Sequence, residues 1–277
     1  MKGRFRDNVT FVMRYPSLVS SFLFQKYVTK NLDGALKEKM RSLYSLEVVN
    51  NYELEILEKY LSADLRPYYD EILEIEFIDD IMNKLRNYNY GEGLGILDYT
   101  NCTILYCVIR HLKPESVVET GVASGASSYT ILQALKMNGT GKLYSIDLPQ
   151  NVFGNAFDML TEKVPEGKKS GWLVPEDLKH TWTLIEGDSK TELPKLLESL
   201  ERIDIFIHDS LHTYEHMMFE YQTAWKYIKN GGLLISDDAK ANSAFDDFAR
   251  KNGLVLHRLG FVIKNERLYI RENIKSR

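Results

Sequence analysis

Apolar residues recur along this chain with two different periods. Up to about residue 95 they fall at three- and four-residue spacing with charges between them, in LDGALKEKMRSLYSLEVVNNYELEILEKYLS and in EILEIEFIDDIMNKLRNY. That spacing predicts amphipathic helices. The glycine-bearing stretch NYNYGEGLGI predicts a hinge or linker. From about residue 99 short apolar runs alternate with helical patterns. ESVVETG (115–121), KLYSIDL (142–148), TWTLIEGD (181–188), IDIFIHD (203–209) and GLLISDD (232–238) read as strands. Helices are predicted over 127–137, stopped by Asn138-Gly139, over roughly 214–229, stopped by Asn230-Gly231-Gly232, and over 244–253. LVLHRLG and FVIKNERLYI close the sequence as two strands joined by a very short turn.

Strands that alternate with helices pair in parallel through right-handed crossovers. The expected fold is therefore α/β: a doubly wound, mostly parallel seven-stranded sheet with a C-terminal antiparallel hairpin. The last two strands have no helix between them and so pair antiparallel at one sheet edge. A helical N-terminal region, residues 1–95, precedes this domain, residues 96–277, and is expected to act as a lid or a dimerisation element.

Composition narrows the picture. Of 277 residues, 44% are hydrophobic and 27% charged, as in ordinary globular chains. A net charge of -4 lacks the basic excess of a nucleic-acid binder. Cys102 and Cys107 have neither metal-pair nor disulfide-framework spacing, and read as reduced core thiols suited to the cytoplasm. At the N-terminus, Arg14 and Pro16 interrupt the apolar stretch, and no run reaches the ~18 residues of a membrane span. Nor does a clean signal-peptide pattern emerge. Lys2, Arg4 and Arg6 beside Phe5, Phe11, Phe22 and Phe24 suit membrane-surface docking or, more simply, a helix packed on the main domain.

In a doubly wound sheet ligands bind at the carboxyl ends of the strands. The first strand runs into Glu119-Thr120-Gly121-Val122-Ala123-Ser124-Gly125-Ala126-Ser127-Ser128. Glycines at 121 and 125 permit a sharp turn and close approach, and the next helix offers free N–H groups. Asp147 ends the second strand roughly 20 residues beyond Gly125, the spacing of an acid that binds ribose hydroxyls. The loop lacks the GxGxxG of a dinucleotide site, which disfavours a nicotinamide-dependent oxidoreductase. Glu119 would repel pyrophosphate but attract an ammonium group.

Glu-x-Gly-x-x-x-Gly after the first strand, an acid after the second, Gly187-Asp188 after the third and a terminal hairpin together resemble the class I S-adenosylmethionine-dependent methyltransferases. The resemblance covers about residues 99–271. It implies Glu119 near the methionine ammonium, Gly121, Ala123, Ser124, Gly125, Ser127 and Ser128 lining the cofactor, Asp147 on the ribose hydroxyls and Asp188 near the adenine. The alternative for Asp147 and Asp188 is that they cap strand-to-loop turns.

The fourth strand delivers His208-Asp209-Ser210-Leu211-His212-Thr213-Tyr214-Glu215-His216, and the fifth Ser236-Asp237-Asp238. Three carboxylates on one rim call for a positive partner, and a hard cation such as Mg²⁺ takes oxygen ligands. The run Asp209–Glu215 resembles that of macrocin O-methyltransferase-like enzymes, which implies metal ligation by Asp209, Asp237 and Asp238, with Asp209 also facing the cofactor. Leu211 replaces the aspartate that serves there as candidate base. His212 is then the expected base, since an imidazole titrates near neutral pH. The alternatives are that His212 caps the next helix and that the acidic pair does the same. His208 is the other base candidate, but it faces away from Asp209 along the strand and reads as structural, and His216 falls in the helix. Lys240 and Asn242 are weaker contact candidates, and Asp246 and Asp247 read as first-turn helix acids.

The expected activity is methyl transfer from S-adenosylmethionine to a hydroxyl of a small molecule, such as a sugar or other polyhydroxyl compound, with or without a divalent metal. The alternatives are metal-independent O- or N-methylation with a histidine base, and a non-catalytic S-adenosylmethionine-binding protein. The long connection 149–180, with Phe153, Phe157 and Trp172 as pocket walls and Lys168 and Lys169 as anion contacts, is expected to set specificity. A homo-oligomer through the N-terminal region is a further expectation.

Overall fold

The computed structural model describes residues 54–59, 61–75, 77–86, 99–149, 164, 167–239, 241–252, 257–258 and 269–272. The chain divides into two compact units, Met1–Ile56 and Leu57–Arg277. Of the first, only 54–56 are described, in helical conformation. The expected linker at 87–96, the basic N-terminus, Lys240, and Phe153 and Phe157 lie outside the described residues.

Within the second unit the described elements run α1 (Arg66–Glu74), α2 (Phe77–Arg86), α3 (Tyr99–Leu112), β1 (Ser116–Thr120), α4 (Ala126–Asn138) and β2 (Lys142–Asp147). Then come a 3-10 turn (Glu176–Thr181), β3 (Trp182–Glu186), α5 (Ser189–Leu200), β4 (Ile203–His208), α6 (Tyr214–Trp225), β5 (Ile228–Ser236) and α7 (Ala244–Lys251). Five strands pair in parallel in the order β3-β2-β1-β4-β5. β1 is central, and strand order reverses beside it. Beyond β5, β7 (Tyr269–Glu272) pairs antiparallel with β5, and β6 (His257–Arg258) antiparallel with β7. The connection between these two, 259–268, is outside the described residues.

Register explains which residues form the core. Val118, Phe206 and Leu234 are register neighbours across β1, β4 and β5. All are buried on one face against Leu193 and Leu197 of α5, Met217 and Tyr221 of α6, and Phe245 and Phe248 of α7. The alternate set Val117, Ile205 and Leu233 is also fully covered. Strands covered on both faces carry the continuous apolar runs seen in the sequence rather than a strict alternation.

Two boundaries depart from expectation. The helix after β4 ends at Trp225, not near 229, and β5 begins at Ile228, so Asn230-Gly231-Gly232 lies inside a strand. Gly231 has φ +77°, and the β4–β5 register shifts between Ile203 and Ile205. The glycine pair thus makes a bulge rather than a helix stop, a use of glycine the sequence does not distinguish from a terminator. Two further helices, α3 and α5, precede β1 and β4. α3 carries both cysteines, which are buried and form no disulfide, and burial pushes the Cys107 thiol up to about 12.

Candidate functional site at the carboxyl rim

Pairing brings the strand ends to one rim. Thr120 stands beside Ile146 and His208, His208 beside Ser236, and Asp147 beside Glu186. Backbone bonds continue this order past the strands. Gly121 N–H donates to Ile146 at 2.9 Å, Asp209 N–H to Thr120 at 2.9 Å, and Asp237 N–H to His208 at 2.9 Å. The loops carrying Gly121, Asp147, Asp209 and Asp237 are therefore adjacent.

The glycines of the first loop serve protein–protein contact within the chain. A Cβ on Gly121, whose φ is +83°, would lie 1.9 Å from the Asp209 carbonyl oxygen. One on Gly125, φ +90°, would lie 2.7 Å from Gly171 Cα. The segment 170–174 crosses this turn: Gly171 N–H donates to Ala123 at 2.8 Å and Leu173 N–H to Ser124 at 3.0 Å. Ala123 itself holds φ +46°, unusual for a residue with a side chain. Asp147 accepts from Ala123 N–H at 3.2 Å. Burial raises its carboxyl, against the hydrogen bonds of Ser170 and of the Val122, Leu148 and Ala123 amides. The Ser124 hydroxyl is buried at this turn without a partner. A polar cradle of this kind, with a carboxylate at the second strand and an unspent hydroxyl at the first turn, suits a ribose-bearing cofactor.

Glu119 lies deeper than the sequence suggests. It is completely buried. It accepts from the hydroxyls of Ser127, Ser128 (2.6 Å) and Ser145 (2.8 Å), and Trp182 Nε1–H donates to Ser145 at 2.9 Å. Burial raises its carboxyl, with the three hydroxyls opposing. Ser127 and Ser128 thus spend their hydroxyls on tying α4 to β1. Asp188 is exposed and caps α5, accepting from Lys190 N–H at 2.9 Å.

The second half of the rim gathers Asp209, His212 and Asp237, whose ligating atoms all lie within 4.8 Å of one another. Asp238, expected as a third carboxylate ligand, is not one of that trio; its Oδ2 lies 3.5 Å from His212 Nδ1, while His212 Nε2 is 3.9 Å from Asp209 Oδ1. His212 Nε2 and Asp237 Oδ1 are buried atoms with no hydrogen-bond partner. Burial, then the neighbouring His208, pushes the His212 imidazole down to about 4, so it is neutral at pH 7 and keeps a lone pair. Burial and the Asp238 charge raise the Asp237 carboxyl, while a hydrogen bond with Asp209 opposes them. Two apposed carboxylates and a neutral imidazole with an unspent nitrogen fit a divalent cation.

Neither Asp237 nor Asp238 caps the next helix, whose N-cap is Ser243; Asp246 and Asp247 occupy its first turn as expected. Asn242 fixes the histidine loop: its Nδ2 donates to the His212 carbonyl at 3.1 Å and its Oδ1 accepts from Ala244 N–H at 2.8 Å. Beneath the loop is a cluster that sequence reasoning missed. Glu220, fully buried, accepts from Thr120 Oγ1 (2.6 Å) and Ser210 Oγ (2.9 Å) and bonds His208 Nδ1 (2.6 Å) and His216 Nε2 (2.9 Å). Burial alone would raise its carboxyl, yet the two histidines hold it well below the usual carboxylate range. The available signal was Glu220 four residues after His216, on the apolar face of α6. His208 and His216 thus both spend a ring nitrogen on this buried carboxylate.

Residues 118–239 match a sequence profile described as a methyltransferase domain. No curated protein shows significant sequence similarity to the chain. Among solved structures, a Klebsiella pneumoniae protein assigned as an O-methyltransferase is 16% identical, with a TM-score of 0.50, covering 81% of this chain and 96% of its own. The Bacillus cereus O-methyltransferase, solved in complex with S-adenosylhomocysteine, is 10% identical with a TM-score of 0.51, covering 72% and 92% respectively. These two likenesses establish the shared Rossmann-like α/β fold, and the profile places the domain across β1 to the end of β5. Residues 118–239 of this chain are thus similar to a methyltransferase domain, set in a fold shared with O-methyltransferases of known structure.

Proposed function

We propose that this enzyme methylates a hydroxyl of a small, polyhydroxylated acceptor, in the manner of macrocin O-methyltransferase-like enzymes, at a divalent-metal centre on the carboxyl rim. One observation carries the reading: the turn proposed to hold the cofactor touches the backbone of Asp209 through Gly121, while Asp209, His212 and Asp237 converge on the other side. Methyl donor and acidic centre are then neighbours.

In this reading Asp147 binds the ribose hydroxyls, Ser124 and the Gly121–Gly125 turn contact the cofactor, and Asp188 lies toward the adenine. Glu119, through Ser127 and Ser128, shapes the turn beside the methionine end. The acceptor oxygen is held in line with the sulfonium methyl. Orienting two reactants at ~3–3.5 Å supplies on the order of 7–11 kcal/mol in favourable cases. A C–O bond forms as the S–CH₃ bond breaks, the acceptor hydroxyl gives up its proton to water, and S-adenosylhomocysteine leaves. A divalent ion, when bound, lowers the hydroxyl pKa and fixes the oxygen. The seven-stranded sheet with its C-terminal antiparallel hairpin, residues 96–277, forms the catalytic body. The buried thiols of α3, which form no disulfide, suit the cytoplasm.

A second reading is metal-independent transfer with His212 as base: its imidazole is neutral at pH 7 and open to a proton, but its lowered pKa makes it a weak base. The test is conversion of a panel of sugars, catechols and amines with S-adenosylmethionine, with and without EDTA. Hydroxyl methylation abolished by EDTA and restored by added divalent ion supports the proposal. Turnover that survives EDTA overturns its metal half. Cofactor binding without any turnover overturns the enzymatic reading.

A further inference from the structure

We infer that His212 is itself a ligand of the metal centre, oriented by Asp238, and that the site therefore prefers a first-row transition ion to Mg²⁺. This rests on the metal reading above and specifies its chemistry. The convergent trio is Asp209, His212 and Asp237, two oxygens and one nitrogen, rather than three carboxylates. The imidazole is disposed as a metal-ligating histidine is: its Nδ1 faces the Asp238 carboxylate at 3.5 Å and its Nε2 faces Asp209. A carboxylate on one ring nitrogen fixes the tautomer that leaves the lone pair on the other. That other nitrogen is buried and unpartnered, as is Asp237 Oδ1. Two further contacts hold the ring. His208 meets it edge-on, with centroids 5.3 Å apart, and Asn242 pins its backbone carbonyl. Asp238 holds φ +43°, a strained backbone for an aspartate whose carboxylate turns toward His212.

An imidazole donor suits Fe, Co, Ni and Zn better than Mg²⁺, whose preferred ligands are oxygen. The experiment is calorimetric titration of the full chain with Co²⁺ and with Mg²⁺, plus electron spin-echo spectroscopy of the Mn²⁺-loaded protein for coupling to a ligand nitrogen. Co²⁺ should bind at least ~10-fold more tightly than Mg²⁺, and the nitrogen coupling should be present. His212→Ala should erase both the preference and the coupling while leaving Mg²⁺ affinity within a few-fold. Asp238→Asn should lower Co²⁺ affinity by roughly 10–100-fold, as loss of an outer-shell partner does. Circular dichroism confirms that each variant folds. Equal affinity for the two ions with no nitrogen coupling overturns the role of His212 but leaves a carboxylate metal site standing. Absence of binding by any of the three ions overturns the metal reading itself.

Discussion

At the residue scale, Gly121 carries the tightest constraint on the rim. Its φ of +83° and the 1.9 Å approach of a hypothetical Cβ to the Asp209 carbonyl leave no room for a side chain. Gly121→Ala should cost at least ~1–3 kcal/mol from backbone strain alone. Thermal denaturation should read that loss, together with weaker cofactor binding, because the clash pushes β1 and β4 apart where the two half-sites meet. Glu220 makes a second prediction, in pH. Its folded-state pKa is depressed, so the unfolded chain takes up a proton there first as pH falls. The stability it contributes is full above the ordinary carboxylate pKa and is lost as pH drops below it. Thermal unfolding of wild type should therefore steepen in acid, and Glu220→Gln should flatten that part of the profile while lowering stability at neutral pH. The presence of Asp147, Asp209 and Asp237 on one rim was legible from residue type and strand position alone. The sealing of Glu119 under three hydroxyls was not, because three serines on different elements meet only after β1, β2 and α4 have packed.

At the element scale, the strand-loop-helix units explain why some acids are spent locally and others remain available. Asp188 begins α5 and satisfies an amide of its first turn. Asp188→Ala should cost ~0.5–2 kcal/mol of stability, the range for a lost N-cap, seen as a lower denaturation midpoint. Affinity for S-adenosylmethionine, measured on the same protein, separates that cap from the proposed adenine contact. Asp237 and Asp238 follow β5 but stand five or more residues before α7, so they are released from capping and turn to the rim. The run of apolar strands and the helices after β1, β4 and β5 could be read from periodicity. The bulge at Gly231 could not, since an Asn-Gly-Gly triplet ends a helix or kinks a strand equally well, and only pairing with β4 decides.

At the scale of the whole molecule, a bound cofactor draws the folding equilibrium toward the native state. With S-adenosylmethionine at about 100 times its dissociation constant, stabilisation should be ~2.7 kcal/mol, visible as a rise in the melting temperature that Asp147→Ala abolishes. No helix among the described residues is long and apolar enough to cross a membrane. What the sequence determined by itself was the class of fold, the glycine turn after β1 and the identity of the acids at the strand ends, because strand periodicity and turn chemistry are local properties. What only the tertiary structure decided was which of those acids meet. Asp209, His212 and Asp237 come from two strands whose alignment is set by long-range pairing and packing, and no spacing along the chain encodes a distance between side chains that lie on separate loops.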